Sequence, residues 1–275
     1  MYKRQVLTVR EYVEDQYVFF ATKNGVVKKT SLADFSRPRA NGIIAIDLRV
    51  DDQLINVALT DGGQDIMLIS SSGRAMRFDE SAVRKMGRTA AGVRGIRIAE
   101  GEAVISLIVV EEEGDILTAT ENGYGKRSQT TEYPTKGRGG KGVIDIKTTE
   151  RNGDVVGAVQ VQDNDEVMLI TNSGTLIRTA VNGISTLGRN TQGVRLIRTS
   201  DEEKLVQVVR VVNEDDDEKK TQPKVTSVIL IPALLIPALL IPVIPVIPVI
   251  PVTKVIQMSP VTIPMMQKLI HLTTN

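Results

Sequence analysis

The chain has 275 residues, with 34 Lys and Arg, 33 Asp and Glu, one His, no Cys and no Trp, for a formal net charge of +1. Without cysteine there is no disulfide framework, thiolate nucleophile or cysteine-ligated zinc, and the lone His271 leaves no His-rich metal site and little room for a Ser-His-Asp triad. The near-neutral balance excludes a uniformly basic coat but leaves room for a basic stripe on one face, and the length allows one large or two modest domains.

At the N-terminus, Met1-Tyr2-Lys3-Arg4-Gln5 leads into charged, mixed sequence with no apolar run, so no secretory signal is expected. A repeat of about fifty residues follows. Residues 17–25 (YVFFATKNG), 65–73 (DIMLISSSG), 115–123 (DILTATENG) and 166–174 (EVMLITNSG) each read as an apolar strand closed by a small turn. Their terminal glycines lie 48, 50 and 51 residues apart. Each is followed by a short basic strand: VVKKT, RAMRF, YGKRS or TLIRT. Asn-Gly or Ser-Gly between two β-rich runs signals a hairpin, because glycine enters the turn conformation without strain.

Further along each unit comes a basic, glycine-bearing loop. These are residues 37–42 (RPRANG), 87–92 (GRTAAG), 137–142 (GRGGKG) and 188–193 (GRNTQG), whose last glycines are 50, 50 and 51 apart. A strand is expected after each, in GIIAIDL, GVRGIRI, GVIDIKT and GVRLIRT. A last apolar run closes each unit, at 55–59, 103–110, 155–161 and 205–212. No helical periodicity of ten or more residues interrupts 1–212.

The predicted fold is all-β: a propeller-like array of about four four-stranded blades over 1–212, with units at roughly 6–50, 51–105, 106–158 and 159–212. A single blade cannot bury both sheet faces, so stability must come from stacking. Aromatic content of 3% and the absence of Trp argue against kelch and WD-type repeats. On architecture alone, two uses remain open: a protein-binding platform or a nucleic-acid surface.

The loops favour the second. Glycine lets backbone approach a ligand closely, and Arg and Lys carry donors matched to phosphate oxygens. Four such loops at equal spacing set phosphate contacts at intervals along a rim. The candidate DNA-binding residues are Arg37, Arg39, Arg84, Lys85, Arg88, Lys136, Arg138, Lys141 and Arg189, with Arg94 and Arg195 just beyond two of the loops. A secondary set on the strands after the hairpins is Lys28, Lys29, Arg74, Arg77, Lys126, Arg127 and Arg178, each weighed against an ordinary solvated charge. No base-reading set is apparent, and contacts of this kind position DNA without specifying sequence.

These segments resemble the C-terminal DNA-wrapping domain of the bacterial DNA gyrase A subunit. The resemblance rests on the blade pattern, NGYGKR at 122–127, ERNGDVVGAVQV at 150–161, GRNTQGV at 188–194 and GVRGIRI at 92–98. It covers about 6–212. It implies a six-bladed β-pinwheel, a propeller relative with strands exchanged between neighbouring blades, which wraps double-stranded DNA in a positive sense around its edge. It implies two protein partners, the gyrase B subunit and a second gyrase A. It also implies ATP and Mg bound elsewhere in the parent complex, and a cytoplasmic, nucleoid-associated location. The corresponding domain of the topoisomerase IV C subunit is the alternative within the superfamily.

The sequence departs from the family pattern in one respect. The family's first-blade box, Gln-Arg-Arg-Gly-Gly-Lys/Arg-Gly, has its nearest match at 136–142 (KGRGGKG), in the third of the four units. Two blades are therefore expected to be missing, together with the DNA-cleaving tyrosine region. None of Tyr2, Tyr12, Tyr17, Tyr124 and Tyr133 has the catalytic context, so no catalytic residue, cofactor or metal is expected in this chain. The loop at 137–142 also lacks the GKS or GKT helix start of an ATP-binding loop.

Residues 213–224 read as an acidic and polar linker, opening on Glu-Asp-Asp-Asp-Glu at 214–218. Residues 225–275 form a low-complexity apolar tail rich in Pro, Ile, Leu and Val. Its length and hydrophobicity suggest a membrane span, but Pro232, Pro237, Pro242, Pro245, Pro248 and Pro251 break any helix, so a disordered or artefactual segment is expected and no membrane partner.

Overall fold

The structure, a computed structural model, describes residues 6–200, 202–211 and 227–230. The linker expected at 213–224, and all of the tail expected at 225–275 except 227–230, lie outside these residues.

Among the described residues, seventeen strands follow one another. The first repeat holds β1 (Val6–Val9), β2 (Tyr17–Thr22), β3 (Val26–Ser31) and β4 (Leu54–Thr60). The second holds β5 (Asp65–Ser70), β6 (Arg74–Asp79), the two-residue β7 (Val93–Arg94) and β8 (Val104–Val110). The third holds β9 (Asp115–Thr120), β10 (Tyr124–Gln129), β11 (Val143–Ile144) and β12 (Val155–Val161). The fourth holds β13 (Glu166–Thr171), β14 (Leu176–Ala180), β15 (Val194–Arg195) and β16 (Leu205–Val211). Finally β17 (Ser227–Leu230) pairs antiparallel with β1. A short 3-10 turn follows the hairpin in every repeat, at Leu32–Phe35, Glu80–Ala82, Thr130–Glu132 and Val181–Gly183.

The blades are not contiguous segments. Their sheets run β4-β2-β3-β7, β11-β6-β5-β8 and β12-β9-β10-β15, with a three-stranded β14-β13-β16 at the end. Each repeat supplies three long strands to its own blade, and the second, third and fourth each add one short strand to the blade before. The register is the same each time: Val26↔Arg94, Arg74↔Ile144 and Tyr124↔Arg195. The hairpin turns share a cause. The hydroxyls of Thr22, Ser70 and Thr171 accept the amides of Val26, Arg74 and Thr175, each at 3.1 Å, which fixes the chain reversal locally.

Side-chain alternation sends successive residues to opposite faces, and both faces of an inner blade are covered. Phe19, Ala21 and Val27 of the first blade pack with Ile66, Leu68, Met76 and Phe78 of the second. Met67, Ile69, Ala75 and Ile108 on its other face meet Ile116 and Ala158 of the third, with Tyr133 and Ile146. Leu117 and Ala119 meet Val167, Leu169 and Val208 of the fourth. Removing the fully buried Leu68 side chain, as in Leu68→Ala, costs about 2–5 kcal/mol through lost burial and the cavity left behind.

One sequence expectation fails. Residues 42–48 (GIIAIDL) form no strand, whereas the equivalent segments of the next three repeats give β7, β11 and β15. Those strands exist only because the preceding blade offers an edge, and no preceding repeat lies among the described residues.

Candidate nucleic-acid interface

The loops of the second, third and fourth repeats leave their 3-10 turns, cross to the blade before and deliver the short exchanged strand there. Backbone bonds mark the crossing: Met86 N to Lys29 O at 2.8 Å, Lys136 N to Arg77 O at 2.9 Å and Leu187 N to Arg127 O at 2.8 Å. The loops also bond to one another in series. Asp47 N donates to Ala90 O (3.3 Å), Arg97 N to Gly140 O (2.8 Å) and Lys147 N to Thr191 O (2.8 Å). Four loops thus form one continuous belt across the blades.

The belt is strongly one-signed. Segments 36–48, 84–98, 134–148 and 185–199 hold 14 Lys and Arg against two Asp. One of the two, Asp145, is fully buried, so Asp47 alone offers an exposed negative charge along it. Arg37, Arg39, Arg84, Lys85, Arg94, Lys136, Arg138, Lys141 and Arg195 are exposed, and Arg88 and Arg189 half-buried. Ion pairs among the described residues reach only Arg189 of this set, at 4.0 Å from Glu132.

Two of these arginines also build the belt. Arg138 donates from Nε to Ala82 O and from Nη1 to Arg94 O, both at 2.9 Å. Arg189 Nη1 donates to Ile144 O at 2.8 Å, the equivalent carbonyl one repeat on. Each guanidinium binds the neighbouring loop and keeps its charge at the surface. Arg195 donates from Nη2 to Tyr124 Oη at 2.7 Å, and Arg151 stacks 4.8 Å from the centre of that ring. Hydrogen bonds from the two arginines hold the Tyr124 phenol below its ordinary pKa.

The secondary strand set is placed differently. Lys28 and Lys126 are fully buried and have no surface to offer a phosphate. Lys28 Nζ donates to Ala45 O at 2.6 Å and to Arg88 O, and burial with the nearby Arg88 charge lowers its pKa to about 8. Lys126 Nζ lies 3.7 Å from Asp145 and donates to Ser128 Oγ. Burial lowers its pKa despite that neighbour. Asp145 also accepts from Thr118 Oγ1 (2.8 Å) and Tyr133 Oη (2.5 Å), and burial followed by the Asp145 charge raises the Tyr133 phenol.

The next position along the strand staples neighbouring blades. Lys29 Nζ donates to Glu80 O at 3.2 Å. Arg77 reaches Thr130 O at 3.0 Å, and Arg127 Nε reaches Ile184 O at 2.9 Å. Lys29 and Arg127 are buried and Arg77 half-buried beside Asp65. Arg74 is half-buried, and Arg178 is exposed and ion-paired with Glu166. The expectation of phosphate contacts therefore fails at Lys28, Lys29, Lys126 and Arg127, where the charge is spent inside the protein.

Three residues of the belt were not singled out by the sequence reading: Arg97, Lys147 and Arg198, all exposed. Each stands five residues after the last glycine of its loop, a repeated cation at fixed offset that was legible in the sequence.

Comparison with known proteins bears directly on this surface. A family described as DNA gyrase C-terminal domain, beta-propeller, matches residues 16–61, 64–111, 114–162 and 165–211, one match per repeat. The DNA gyrase A subunit of Salmonella typhimurium is 58% identical over 214 residues, covering 78% of this chain and 24% of that protein. The DNA gyrase A subunit of Haemophilus influenzae is 53% identical over 241 residues, covering 78% of this chain and 27% of that protein. The chain therefore spans about a quarter of the length of the curated relatives it matches. Among solved structures, a DNA gyrase A C-terminal domain aligns with TM-score 0.67 and 26% identity over 74% of this chain and 68% of that one. The C-terminal domain of a DNA topoisomerase IV aligns with TM-score 0.72 and 31% identity over 77% of this chain and 66% of that one.

Proposed function

Because the chain belongs to the DNA gyrase C-terminal domain family, we propose that it holds double-stranded DNA along the basic belt and bends it, as the DNA-wrapping portion of a gyrase A subunit. The observation that carries this reading is the imbalance of 14 cations to two Asp in the four connected loop segments. Bending a stiff duplex over a few helical turns costs several kcal/mol, and only many simultaneous phosphate contacts offset it. The belt supplies cations from every repeat and no evident base-reading set, so binding is largely indifferent to sequence.

In the parent enzyme the partners are the gyrase B subunit plus a second gyrase A, with ATP and Mg bound on other regions. DNA cleavage belongs to those regions too, and this chain contributes the wrapped segment that supports negative supercoiling. The setting is the bacterial cytoplasm, at the nucleoid. Among the described residues no helix is long and apolar enough to cross a membrane. The curated relatives, gyrase A proteins at 53–58% identity, favour gyrase over topoisomerase IV as the parent.

The test is a titration of the chain with a duplex of about 150 base pairs, one persistence length, at a series of salt concentrations. The logarithm of affinity should fall with log salt by about 0.9 per phosphate neutralised. Lys136→Ala/Lys141→Ala removes two exposed cations whose side chains make no structural bond among the described residues, and should flatten the slope by about 2. An unchanged slope sinks the proposal. Ligation of nicked circles on the protein reads the sense of the wrap, expected positive.

A further inference from the structure

Among the described residues, the exchange of short strands leaves one donor and one acceptor unmatched. The donor is segment 42–48. The acceptor is the edge of β14, on which no strand pairs among the described residues.

Both are already shaped for the contact that their counterparts make. In the three exchanges within the chain, the amides three and four residues after the loop glycine both donate to the carbonyl of the hairpin glycine. Gly95 N and Ile96 N reach Gly25 O at 2.8 and 3.2 Å, Asp145 N and Ile146 N reach Gly73 O at 2.8 and 3.2 Å, and Leu196 N and Ile197 N reach Gly123 O at the same distances. So close is the approach that a Cβ on either glycine is excluded. On Gly25 or Gly123 it falls 2.7 or 2.6 Å from Ile96 O or Ile197 O, and on Gly92 or Gly193 it falls 2.5 or 2.6 Å from Val27 O or Gly125 O. Gly42 and Gly174 keep the same backbone, with φ of +77° and +89°, yet nothing lies within 4 Å of a Cβ on either.

The side chains are complementary as well. Leu176 is 56% exposed and Ile44 65%. Leu176, Ile170 and Met168 occupy the places of Ala75, Ile69 and Met67, which are buried in the core between the second and third blades.

We propose that segment 42–48 of one copy of this chain pairs with β14 of a second copy, in the register Ile44↔Thr175 and Ile43↔Leu176. Ala45 N and Ile46 N then donate to Gly174 O. Ile43, Ala45 and Ile46, already packed on the first blade of their own copy, close over the open face of the other copy's last blade. The interface is head-to-tail: each copy keeps one free donor and one free acceptor, so assembly continues until it closes into a ring or grows as a filament. The occupant is a second copy because the contact reproduces three that this same sequence makes with itself. It is independent of DNA binding.

Sedimentation velocity of the full chain over a concentration series tests this, with Gly42→Asn and Gly174→Asn beside it. Asn tolerates positive φ, so each variant should fold, as circular dichroism will show. In either one, the new Cβ meets a backbone carbonyl only in the paired state. Wild type should sediment faster as concentration rises, and each variant alone should stay at the 30.0 kDa monomer. A mixture of the two should form dimers at twice that mass and stop there, since only one intact donor and one intact acceptor remain. Monomeric wild type at all concentrations would overturn the proposal, with β14 covered by residues of its own chain or by nothing. Association surviving in both variants would also overturn it, by placing the contact elsewhere. A mixture that fails to dimerise while wild type associates would do the same.

Discussion

Asp145→Ala should be among the most damaging single changes in the molecule. Its carboxylate is fully buried, accepts from Thr118 and Tyr133 at 2.8 and 2.5 Å, and faces Lys126 Nζ at 3.7 Å. At an effective dielectric constant near 20 that separation is worth about 4 kcal/mol of attraction. Desolvation opposes it, which is why the Lys126 pKa lies below its ordinary value even beside an anion. Removing Asp145 abolishes the attraction, leaves the desolvation in place and strips two hydroxyls of their acceptor, at an expected cost of about 3–5 kcal/mol. In an array of this size that lowers Tm by roughly 6–20 °C. Lys126→Met should cost less, about 1–2 kcal/mol, because Asp145 keeps both hydroxyl donors. The double variant should recover part of the loss, with a coupling of about 1–3 kcal/mol. The second blade shows why: Met76 holds the position of Lys126 and Gly95 that of Asp145 one repeat earlier, in a closed apolar core. Urea unfolding of the four proteins at pH 7, followed by circular dichroism, closes the cycle. If the single effects add to within about 0.5 kcal/mol, the two charges are not coupled and the reasoning fails.

Gly123→Ala should destabilise by at least 2 kcal/mol more than Gly174→Ala, since both carry the positive-φ strain of about 1–2 kcal/mol but only the first meets Ile197 O at 2.6 Å; equal Tm losses would contradict this. Stability should rise with pH from about 8 towards 10, as the unfolded chain keeps a proton on Lys28 that the folded protein gives up. Above pH 10 it should fall again, because folded Tyr133 holds its proton while the unfolded phenol loses it, and Tyr133→Phe should remove that fall in urea titrations across the range. Absorbance at the phenolate band should show Tyr124 ionising early and Tyr133 not ionising while the protein stays folded. Arg97→Ala/Lys147→Ala/Arg198→Ala should flatten the salt slope of DNA binding by about 3 while leaving Tm within about 2 °C; a large Tm loss with an unchanged slope would place these side chains in the fold and not in the interface.

The architecture was legible because it is periodic: hairpin glycines and loop glycines recur about every fifty residues, as stacked four-stranded units require. The belt was legible for the same reason. Arg97, Lys147 and Arg198 were passed over because they sit on the apolar segment after the loop, although their offset from the glycine repeats as faithfully as that of the loop cations. The burial of Lys28 and Lys126 followed from a comparison that was available: the same position reads Met76 and Ile177 in the other repeats, which marks it as inward-facing. In a stacked blade both sheet faces are interior, so a lysine on a strand is no guarantee of solvent. What no single repeat could disclose is that a strand such as β7 is conditional. Residues 42–48 and 92–98 share a pattern, and only the second finds an edge to pair with.

The exchanged strands also bear on how such a chain is made. Val26 waits for Arg94, Arg74 for Ile144 and Tyr124 for Arg195, separations of 68, 70 and 71 residues. At a synthesis rate of about 5–20 residues per second, each hairpin stays one strand short for roughly 3–14 s after it emerges. Completion then proceeds in one direction along the chain, each repeat sealing its predecessor while exposing its own raw edge. A ribosome that stalls between repeats holds out a sticky, half-finished sheet, and the next fifty residues of translation act as its chaperone.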